Sequence, residues 1–403
     1  MSPSAAPARP PLRVGIVMPL ASQQGGAEAL FDHLLHQRSE RLQYVIAFLE
    51  EGPFVETARS LGYETSVFPT TRLSSLSNLL VTVRTIRRWV RDKQLTIVFS
   101  WMLKAHFYVA PAAVFTGVRT GWFQHGISIN PTMDRLATLL PAKAIFCCSD
   151  HACTAQNRLP PHRRTWTCYP GVPSPSAEPL ESHVAREKLG LPAHHKIVGM
   201  VARWERWKGP HIFVDAAKML IEANPRVTCF LVGGAHPLDI KYATELQAHV
   251  EMSGMGTRFL LVGQRPSSEI PVWHAAADLI VHPVTSPEPF GMAIVEAMGN
   301  GRAVIASALG GPKEIIEDGV SGVLVEPGDI HLLADTIQEL LGDPERCARI
   351  GFAARFRAQS FSVEAFVRRF EELLLTTFAA NNQSGAGYRI TDRSTDCAGT
   401  AND

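Results

Sequence analysis

The strongest chemical signal in the sequence is a pair of carboxylates, Glu288 and Glu296, that frame a loop and the start of a helix. An apolar run at 277–281 is typical of a short buried strand, and a helical pattern opens at Phe290. Such a strand–loop–helix step presents free backbone N–H groups, which suit a phosphate or a sugar hydroxyl. Glu296 lies roughly 8 Å along the helix from Gly291, so one carboxylate could reach a sugar and the other the ribose of the same nucleotide sugar. The plainer alternative is a helix N-terminal charge and a solvated Glu.

A pair of cations, Arg203 and Lys208, forms the second signal. They bracket a loop between an apolar strand pattern at 197–201 and a helical pattern at 211–223. Two cations at the end of a strand and beside the start of a helix can stabilise a departing diphosphate, because negative charge grows there in the transition state. The alternative is two surface cations paired with carboxylates.

Two weaker signals lie in the first half of the chain. Gly25-Gly26 follows an apolar strand pattern at 12–18, and glycine lets backbone approach a phosphate closely, although Gly-Gly also serves ordinary turns. His125 follows a strand pattern at 120–124, and ligands of doubly wound sheets bind beyond the carboxyl ends of strands. No G-x-G-x-x-G motif is present, which argues against a dinucleotide-binding dehydrogenase.

Together these motifs resemble the family-four retaining glycosyltransferases of the GT-B fold, whose E-x₇-E motif matches Glu288 and Glu296. The resemblance covers residues 12–377 and is strongest in the second half. It implies a catalytic role for His125, Arg203, Lys208 and Glu288. It also implies a set of donor-binding residues: Gly25, Gly26, Gln264, Arg265, Phe290, Gly291, Met292, Ala293 and Glu296. The sequence departs from the family at Tyr169-Pro170-Gly171-Val172, where the family usually has Pro-Asn-Gly-Val.

Length and resemblance together predict an α/β protein with two Rossmann-like domains that face each other across a cleft. A chain of 403 residues with 46 % hydrophobic residues can form two substantial cores. We expect an acceptor-side domain at 12–172, a Pro/Ser-rich linker at 173–180 and a donor-binding domain at 181–360. A helix at 361–378 is expected to cross back to the first domain, and 379–403 to be a disordered tail.

Composition favours a cytoplasmic protein. The N-terminus lacks the apolar region of a secretory signal, and the longest apolar stretch, around 107–114, is too short to span a bilayer. Seven cysteines form no evident disulfide framework. Cys147 and Cys148 should point to opposite faces of a strand, so the cluster they form with His151 and Cys153 is not expected to bind a metal.

The reaction expected from the resemblance moves a sugar, with retention, from a UDP- or GDP-sugar co-substrate to a hydroxyl of a glycan, a lipid-linked molecule or a small molecule. The sequence contains no D-x-D motif, so neither a bridging metal nor another cofactor is indicated. Two alternatives stay open: a GT-B sugar-nucleotide epimerase and a catalytically silent nucleotide-sugar-binding protein. Nucleic-acid binding is not expected, because the basic half lacks aromatic residues interleaved with its arginines.

Charge is distributed unevenly along the chain. Residues 1–180 contain 18 Lys and Arg against 11 Asp and Glu, an excess of +7. A predicted amphipathic helix at 76–93 carries Arg84, Arg88 and Arg91 on one stripe. We hypothesise that this stripe meets an anionic membrane surface or a phosphorylated acceptor. The alternative is an ordinary sheet-covering helix with a solvated basic face.

Overall fold

The computed structural model describes residues 12–22, 25–70, 76–127, 131–174, 180–236 and 239–379. The expected C-terminal tail, except residue 379, and most of the expected linker lie outside these ranges. The described chain divides into two units, one formed by the N-terminal residues through Tyr169 together with the residues from Phe366 onward, the other by Pro170–Ala365. The chain thus passes between the units at 169/170 and again at 365/366.

Unit 1 contains a seven-stranded parallel sheet with the order β3-β2-β1-β4-β5-β6-β7. Its strands are β1 Leu12–Met18, β2 Leu42–Phe48, β3 Glu64–Val67, β4 Ile97–Ser100, β5 Arg119–Gln124, β6 Ala144–Cys147 and β7 Thr165–Thr167. Its helices are α1 Gly26–His36, α2 Pro53–Ser60, α3 Leu76–Asp92, α4 Leu103–Val114, α5 Pro131–Leu139 and α6 Asp150–Asn157.

Unit 2 contains a six-stranded parallel sheet with the order β10-β9-β8-β11-β12-β13. Its strands are β8 Lys196–Val201, β9 Val227–Val232, β10 Phe259–Gly263, β11 Leu279–His282, β12 Ala303–Ser307 and β13 Val323–Val325. Its helices are α7 Ser182–Leu189, α8 Pro210–Ala223, α9 Ile240–Met252, α10 Ile270–Ala276, α11 Met292–Gly299, α12 Pro312–Ile315, α13 Ile330–Gly342 and α14 Pro344–Ala358. Helix α15 Val363–Leu374 begins in unit 2 and continues in unit 1, where a π-helical turn, Leu375–Ala379, follows it.

The alternation of side chains along the strands explains why each sheet is covered on both faces. In β4, Val98 lies in a core cluster with Ile86, Trp89 and Tyr108 from α3 and α4. Phe99, its neighbour in sequence, points to the other face, where its ring lies 5.4 Å from that of Phe370 in α15. Strands buried on both faces are almost wholly apolar, which is why their sequence patterns predicted them.

Strand order defines where a ligand site is expected in each unit. In both sheets the order reverses beside the first strand, between β1 and β4 and between β8 and β11. In open parallel sheets ligands bind at such a reversal, beyond the carboxyl ends of the strands. Among the described residues, no helix is both long enough and apolar enough to cross a bilayer.

Candidate active site

The loops that follow β8 and β11 pack backbone against backbone at the strand reversal of unit 2. The loop after β8 ends in a tight turn, Arg206–Lys208, and Gly209 continues it with φ of 75°. A Cβ on Gly209 would lie 1.9 Å from the carbonyl oxygen of Pro283, so only glycine fits this close approach. The Thr285 N–H also donates to the Trp207 carbonyl at 2.8 Å. These contacts fix the cation-bearing loop against the loop that carries Glu288.

Glu288 is the centre of a buried polar cluster. Its Oε2 lies 2.5 Å from Lys208 Nζ and 2.9 Å from His282 Nε2. The three side chains are 15 % exposed or less. Burial acts to raise the pKa of Glu288, but the Lys208 ammonium and the hydrogen bond from His282 outweigh it and lower this pKa to about 2. The carboxylate is therefore ionised at neutral pH, and His282 must carry its proton on Nε2 to donate to it.

Hydrogen bonds hold the backbone of Glu288 as well as its side chain. The Glu288 N–H donates to the Leu309 carbonyl at 3.2 Å, and the Gly311 N–H donates to the Glu288 carbonyl at 2.8 Å. Gly310 has φ of 80°, and a Cβ there would lie 2.4 Å from the Glu288 carbonyl oxygen. The Gly310-Gly311 pair therefore lets the segment after β12 lie directly against the Glu288 loop.

The predicted helix is present, and it begins at Met292, two residues after Phe290, where the helical pattern opens. Gly291 is the N-cap of α11, and the helix runs from Met292. As at any helix start, the N–H groups of the first turn have no acceptor within the helix, so those of Met292 and Ala293 suit an oxygen ligand. Phe290 is buried and packs against Phe361 with ring centroids 5.5 Å apart, which anchors this turn.

Glu296 lies in the second turn of α11 and is half-buried. Burial raises the pKa of its carboxyl above the usual value. Its carboxylate makes no hydrogen bond to any other described residue. The two carboxylates of the motif thus differ, because Glu288 is already paired and Glu296 is open to a ligand.

Arg203 does not join the cluster around Glu288. Its Nη2 pairs instead with Glu205 Oε2 at 3.2 Å, and the Arg203 side chain is 47 % exposed. His236 Nε2 lies 3.9 Å from the other oxygen of Glu205. Arg203 is therefore at the predicted strand end but is held by a carboxylate that the sequence had not singled out.

Gln264 and Arg265 follow the edge strand β10 and are exposed. Two strands separate β10 from β11 in the sheet. Arg265 lines an open groove of about 620 Å³ together with Lys188, Glu269 and Trp273, and no residue of the Glu288 cluster lines that groove. The structure thus places these two residues apart from the cluster, beyond the carboxyl end of β10.

In unit 1, Trp101 connects the predicted residues His125, Gly25 and Gly26. His125 Nε2 donates to the Trp101 carbonyl at 2.7 Å, and Trp101 Nε1 donates to the Ala27 carbonyl at 2.9 Å. Gly25 is the N-cap of α1, with extended backbone, and Gly26 begins the helix. Trp101 directly follows β4, so these contacts lie at the strand reversal of unit 1.

His125 is a neutral side chain in this setting. Its ring stacks on Phe123 with centroids 4.2 Å apart and planes 7° apart. Burial lowers the pKa of His125 to about 3, and the hydrogen bond to Trp101 opposes this only in part. Since Nε2 carries the proton, Nδ1 is an acceptor, suited to a hydroxyl that donates.

Three residues of these sites were missed by sequence reasoning. His282 is a polar residue that ends a buried apolar strand six positions before Glu288, and that contrast was a usable signal. Trp101 gave a similar signal, since it directly follows the strand pattern at 97–100. Glu205 gave none, because one acidic residue in a charged loop is unremarkable on its own.

Comparison with known proteins shows a family match within the second unit. Residues 182–357 match the family described as glycosyl transferases group 1. The D-inositol 3-phosphate glycosyltransferase of Corynebacterium efficiens is 32 % identical over 207 residues, which cover 51 % of this chain and 48 % of that protein. The chain thus spans about half the length of the curated relatives it matches.

Solved structures extend the likeness to nearly the whole chain. Anabaena HepE (Alr3699) in complex with UDP is 27 % identical, with a TM-score of 0.79 over 91 % of this chain and 100 % of that chain. The same protein in complex with UDP-glucose gives a TM-score of 0.77 at 27 % identity, over 90 % and 99 % of the two chains. This chain therefore has the fold class of the GT-B glycosyltransferases, with two Rossmann-like parallel α/β units, and its residues 182–357 match the glycosyl transferases group 1 family.

Proposed function

We propose that this protein transfers a sugar from a nucleotide-diphosphate-sugar to a hydroxyl acceptor, with retention at the anomeric carbon and without a divalent metal. One observation carries the proposal. Lys208 and Glu288, from the loops after β8 and β11, meet at the strand reversal of unit 2, beside the N-terminus of α11. A cation for a leaving diphosphate and an anion for sugar hydroxyls are thus held together where a parallel sheet binds its ligand.

Each residue has a role in this proposal. Lys208 and Arg203 stabilise the departing diphosphate, with the Gly26 N–H as a further donor. Glu288 and the N–H groups from Phe290 to Ala293 hold sugar hydroxyls, and Glu296 holds the ribose. His125 accepts a hydrogen bond from a substrate hydroxyl through Nδ1. Gln264 and Arg265 are candidates for the nucleobase.

The reaction we propose breaks the bond between the anomeric carbon and the diphosphate oxygen. A new bond forms from the acceptor oxygen to the same face of the sugar. The acceptor proton passes to the departing diphosphate oxygen, so no protein base is required. Cations that neutralise the diphosphate lower the barrier because they act on charge that develops in the transition state.

UDP-glucose is the first donor to test, because HepE was solved in complex with UDP and with UDP-glucose. For the acceptor, the relatives named D-inositol 3-phosphate glycosyltransferase support a phosphorylated polyol as one candidate beside glycans and lipid-linked molecules.

The test begins with thermal stabilisation by UDP-, GDP- and ADP-sugars, since a ligand at 100 times its Kd adds roughly 2.7 kcal/mol. Transfer from the stabilising donor is then measured with EDTA and with Mn²⁺, and the anomeric configuration of the product is determined. We expect retention and full activity in EDTA. An inverted product, or activity that requires Mn²⁺, would contradict the proposal.

The same assay separates the alternatives. A sugar-nucleotide epimerase would release nucleotide, or change the donor sugar, without forming an acceptor product. A silent binding protein would be stabilised by a donor and would show no turnover with any acceptor.

We further propose that unit 1 contacts an anionic membrane surface from the cytoplasmic side. Arg84, Arg88 and Arg91 are all exposed on α3, and Leu80 and Val81 on the same helix are 46 % and 59 % exposed. Each cation near an anionic leaflet contributes about 1 kcal/mol, so these arginines together would hold the protein reversibly.

Flotation with liposomes of graded anionic content tests this contact. We expect recovery to rise with anionic lipid and to fall when Arg84, Arg88 and Arg91 are changed to Glu. The control changes Lys241 and Arg349, two exposed cations of unit 2, to Glu. Equal recovery on neutral and anionic vesicles would contradict the proposal and show that these arginines form only a solvated basic face.

A further inference from the structure

A buried histidine shares an oxygen atom of Glu288 with Lys208. His282 ends β11, its side chain is 3 % exposed, and its Nε2 lies 2.9 Å from Glu288 Oε2. Lys208 Nζ reaches the same Oε2 from the loop after β8. Among the described residues, no donor reaches Oε1. One carboxylate oxygen is therefore occupied twice, and the other is left for a ligand.

His282 and Lys208 are not equivalent once the nucleotide sugar binds. In the proposed function, which this inference deepens, Lys208 turns toward the diphosphate, and its ion pair with Glu288 weakens. His282 lies at the end of a buried strand, where its backbone pairs with Ala306 of β12. It cannot follow the substrate in the way that a long lysine side chain can.

We propose that His282 is a positioning residue that keeps Glu288 oriented toward the sugar after Lys208 has moved to the diphosphate. The imidazole donates its Nε2 proton to Oε2 and holds Oε1 toward the sugar hydroxyls. Its contribution is largest in the complex with bound donor, because there Lys208 no longer restrains the carboxylate. Loss of His282 should therefore lower kcat and leave the affinity for UDP unchanged.

Three variants test this assignment. His282→Leu removes the donor, His282→Gln retains an N–H near the position of Nε2, and His282→Asn places its N–H too close to the backbone. We expect kcat to fall on the order of 10- to 100-fold in His282→Leu, which corresponds to about 1.4 to 2.7 kcal/mol. The Gln variant should have a kcat close to that of the wild type, and the Asn variant a kcat close to that of His282→Leu. The Kd for UDP should stay within about twofold in all three.

A matched control is His195→Leu. His195 Nδ1 lies 2.8 Å from Thr228 Oγ1 at the amino end of β8, so this change also removes a histidine hydrogen bond from the same unit. We expect it to leave kcat unchanged. Equal kcat in the Leu, Gln and wild-type proteins would overturn the proposal, as would weaker UDP binding at unchanged kcat. If His282→Leu does not fold, the kcat of the Gln variant is compared with that of the Asn variant, and equal values would overturn the proposal.

An NMR measurement keeps this inference separate from the proposed function. Long-range ¹H–¹⁵N spectra of the imidazole, with His282 assigned from the Gln variant, report which nitrogen carries the proton. We expect a proton on Nε2 both with and without UDP. A ring that carries its proton on Nδ1 alone would overturn the inference, whereas absence of transfer from every sugar donor would count against the proposed function alone.

Discussion

Lys208 and Glu296 differ in what already surrounds them. The Lys208 ammonium is paired with Glu288 and lies 4.1 Å from the centre of the Trp207 ring, so its charge is already partnered before a ligand binds. The Glu296 carboxylate has no hydrogen-bond donor within the described chain, and its burial raises its pKa. A ligand is expected to compete with Glu288 for the charge of Lys208 and to find an open acceptor at Glu296.

Replacement of Lys208 or Arg203 by Ala should lower kcat on the order of 10²-fold or more, by analogy with the loss of one preorganised donor to developing charge. Glu296→Ala should mainly weaken nucleotide binding, since ribose contacts change little as the glycosidic bond breaks. Steady-state kinetics and UDP titrations measure both effects, and Lys218→Ala on α8 is the control. Unchanged UDP affinity with a collapsed kcat in Glu296→Ala would reverse the roles assigned here.

His274 is a residue whose protonation opposes folding. It is fully buried in α10, and neither ring nitrogen has a hydrogen-bond partner within the described ranges. Burial and the nearby Arg302 charge lower its pKa from 6.5 to about 3. Between these values the unfolded chain binds a proton that the native chain does not. The free energy of unfolding therefore falls as pH decreases below 6.5.

His274→Leu should remove this loss and preserve the packing. Between pH 6.5 and 4.5, the wild type should lose about 2 kcal/mol of stability more than the variant does. Urea unfolding at the two pH values measures the difference. The exposed His331→Leu serves as the control and should keep the wild-type pH dependence. An identical pH dependence in all three proteins would show that His274 is already protonated in the native state, or that its pKa is not lowered there.

At the scale of elements, the segment after β12 supports the Glu288 loop, and two glycines allow a controlled test of that support. Gly310 and Gly328 have nearly equal φ of 80° and 78°. A Cβ at Gly310 would meet the Glu288 backbone at 2.4 Å, whereas a Cβ at Gly328 would meet nothing within 4 Å. Both Ala variants thus carry the same backbone strain, and only one displaces the loop.

Gly310→Ala should therefore lower kcat/KM by at least about 10-fold, in line with the sensitivity of catalysis to small misplacements of reacting groups. Gly328→Ala should change stability by about 1 kcal/mol and leave kcat/KM near the wild-type value. Kinetics at a temperature well below both unfolding midpoints separates the two effects. Equal kinetic losses in the two variants would mean that strain, and not the contact with Glu288, is responsible.

The elements were predictable where burial leaves a simple pattern. The strand prediction at 97–100 matches β4, and the helix prediction at 76–93 matches α3 to within one residue. Helices such as α14 were not predicted. That helix exposes Phe352 and Phe356 at 80 % and 73 %, so its apolar residues do not form one stripe. Periodicity indicates a helix only when one face alone is apolar.

The site residues were predictable as candidates, but their pairings were not. Lys208 and Glu288 are 80 positions apart and meet only because β8 and β11 are neighbours in the sheet, which follows from the topology and not from local pattern. The separate pairing of Arg203 with Glu205 depends on side-chain rotamers, which spacing in a sequence does not specify. The roles given to these residues remain predictions.

At the scale of the whole molecule, unit 1 is completed by the C-terminal part of the chain. The Phe370 ring is fully buried and lies 5.4 Å from Phe99, 5.7 Å from Trp101 and 5.8 Å from Phe146. Phe370→Ala should destabilise unit 1 by about 3 to 5 kcal/mol. Hydrogen exchange should show faster opening in β4 and β5, with unit 2 unchanged.

Phe352→Ala is the control for this substitution, because Phe352 is 80 % exposed and its removal should change stability by no more than about 0.5 kcal/mol. Equal acceleration of exchange in both units after Phe370→Ala would mean that the two units unfold as one cooperative body.

The division of unit 1 between two chain segments has a consequence for synthesis. A ribosome makes roughly 5 to 20 residues per second, and all of Pro170–Ala365 must be translated before Phe366. Unit 2 can therefore form its core first. The aromatic residues that cover Phe99 and Trp101 are synthesised on the order of 10 to 40 seconds after the first segment of unit 1. During that interval the nascent first unit presents an uncovered aromatic surface, which is the kind of surface that chaperones bind.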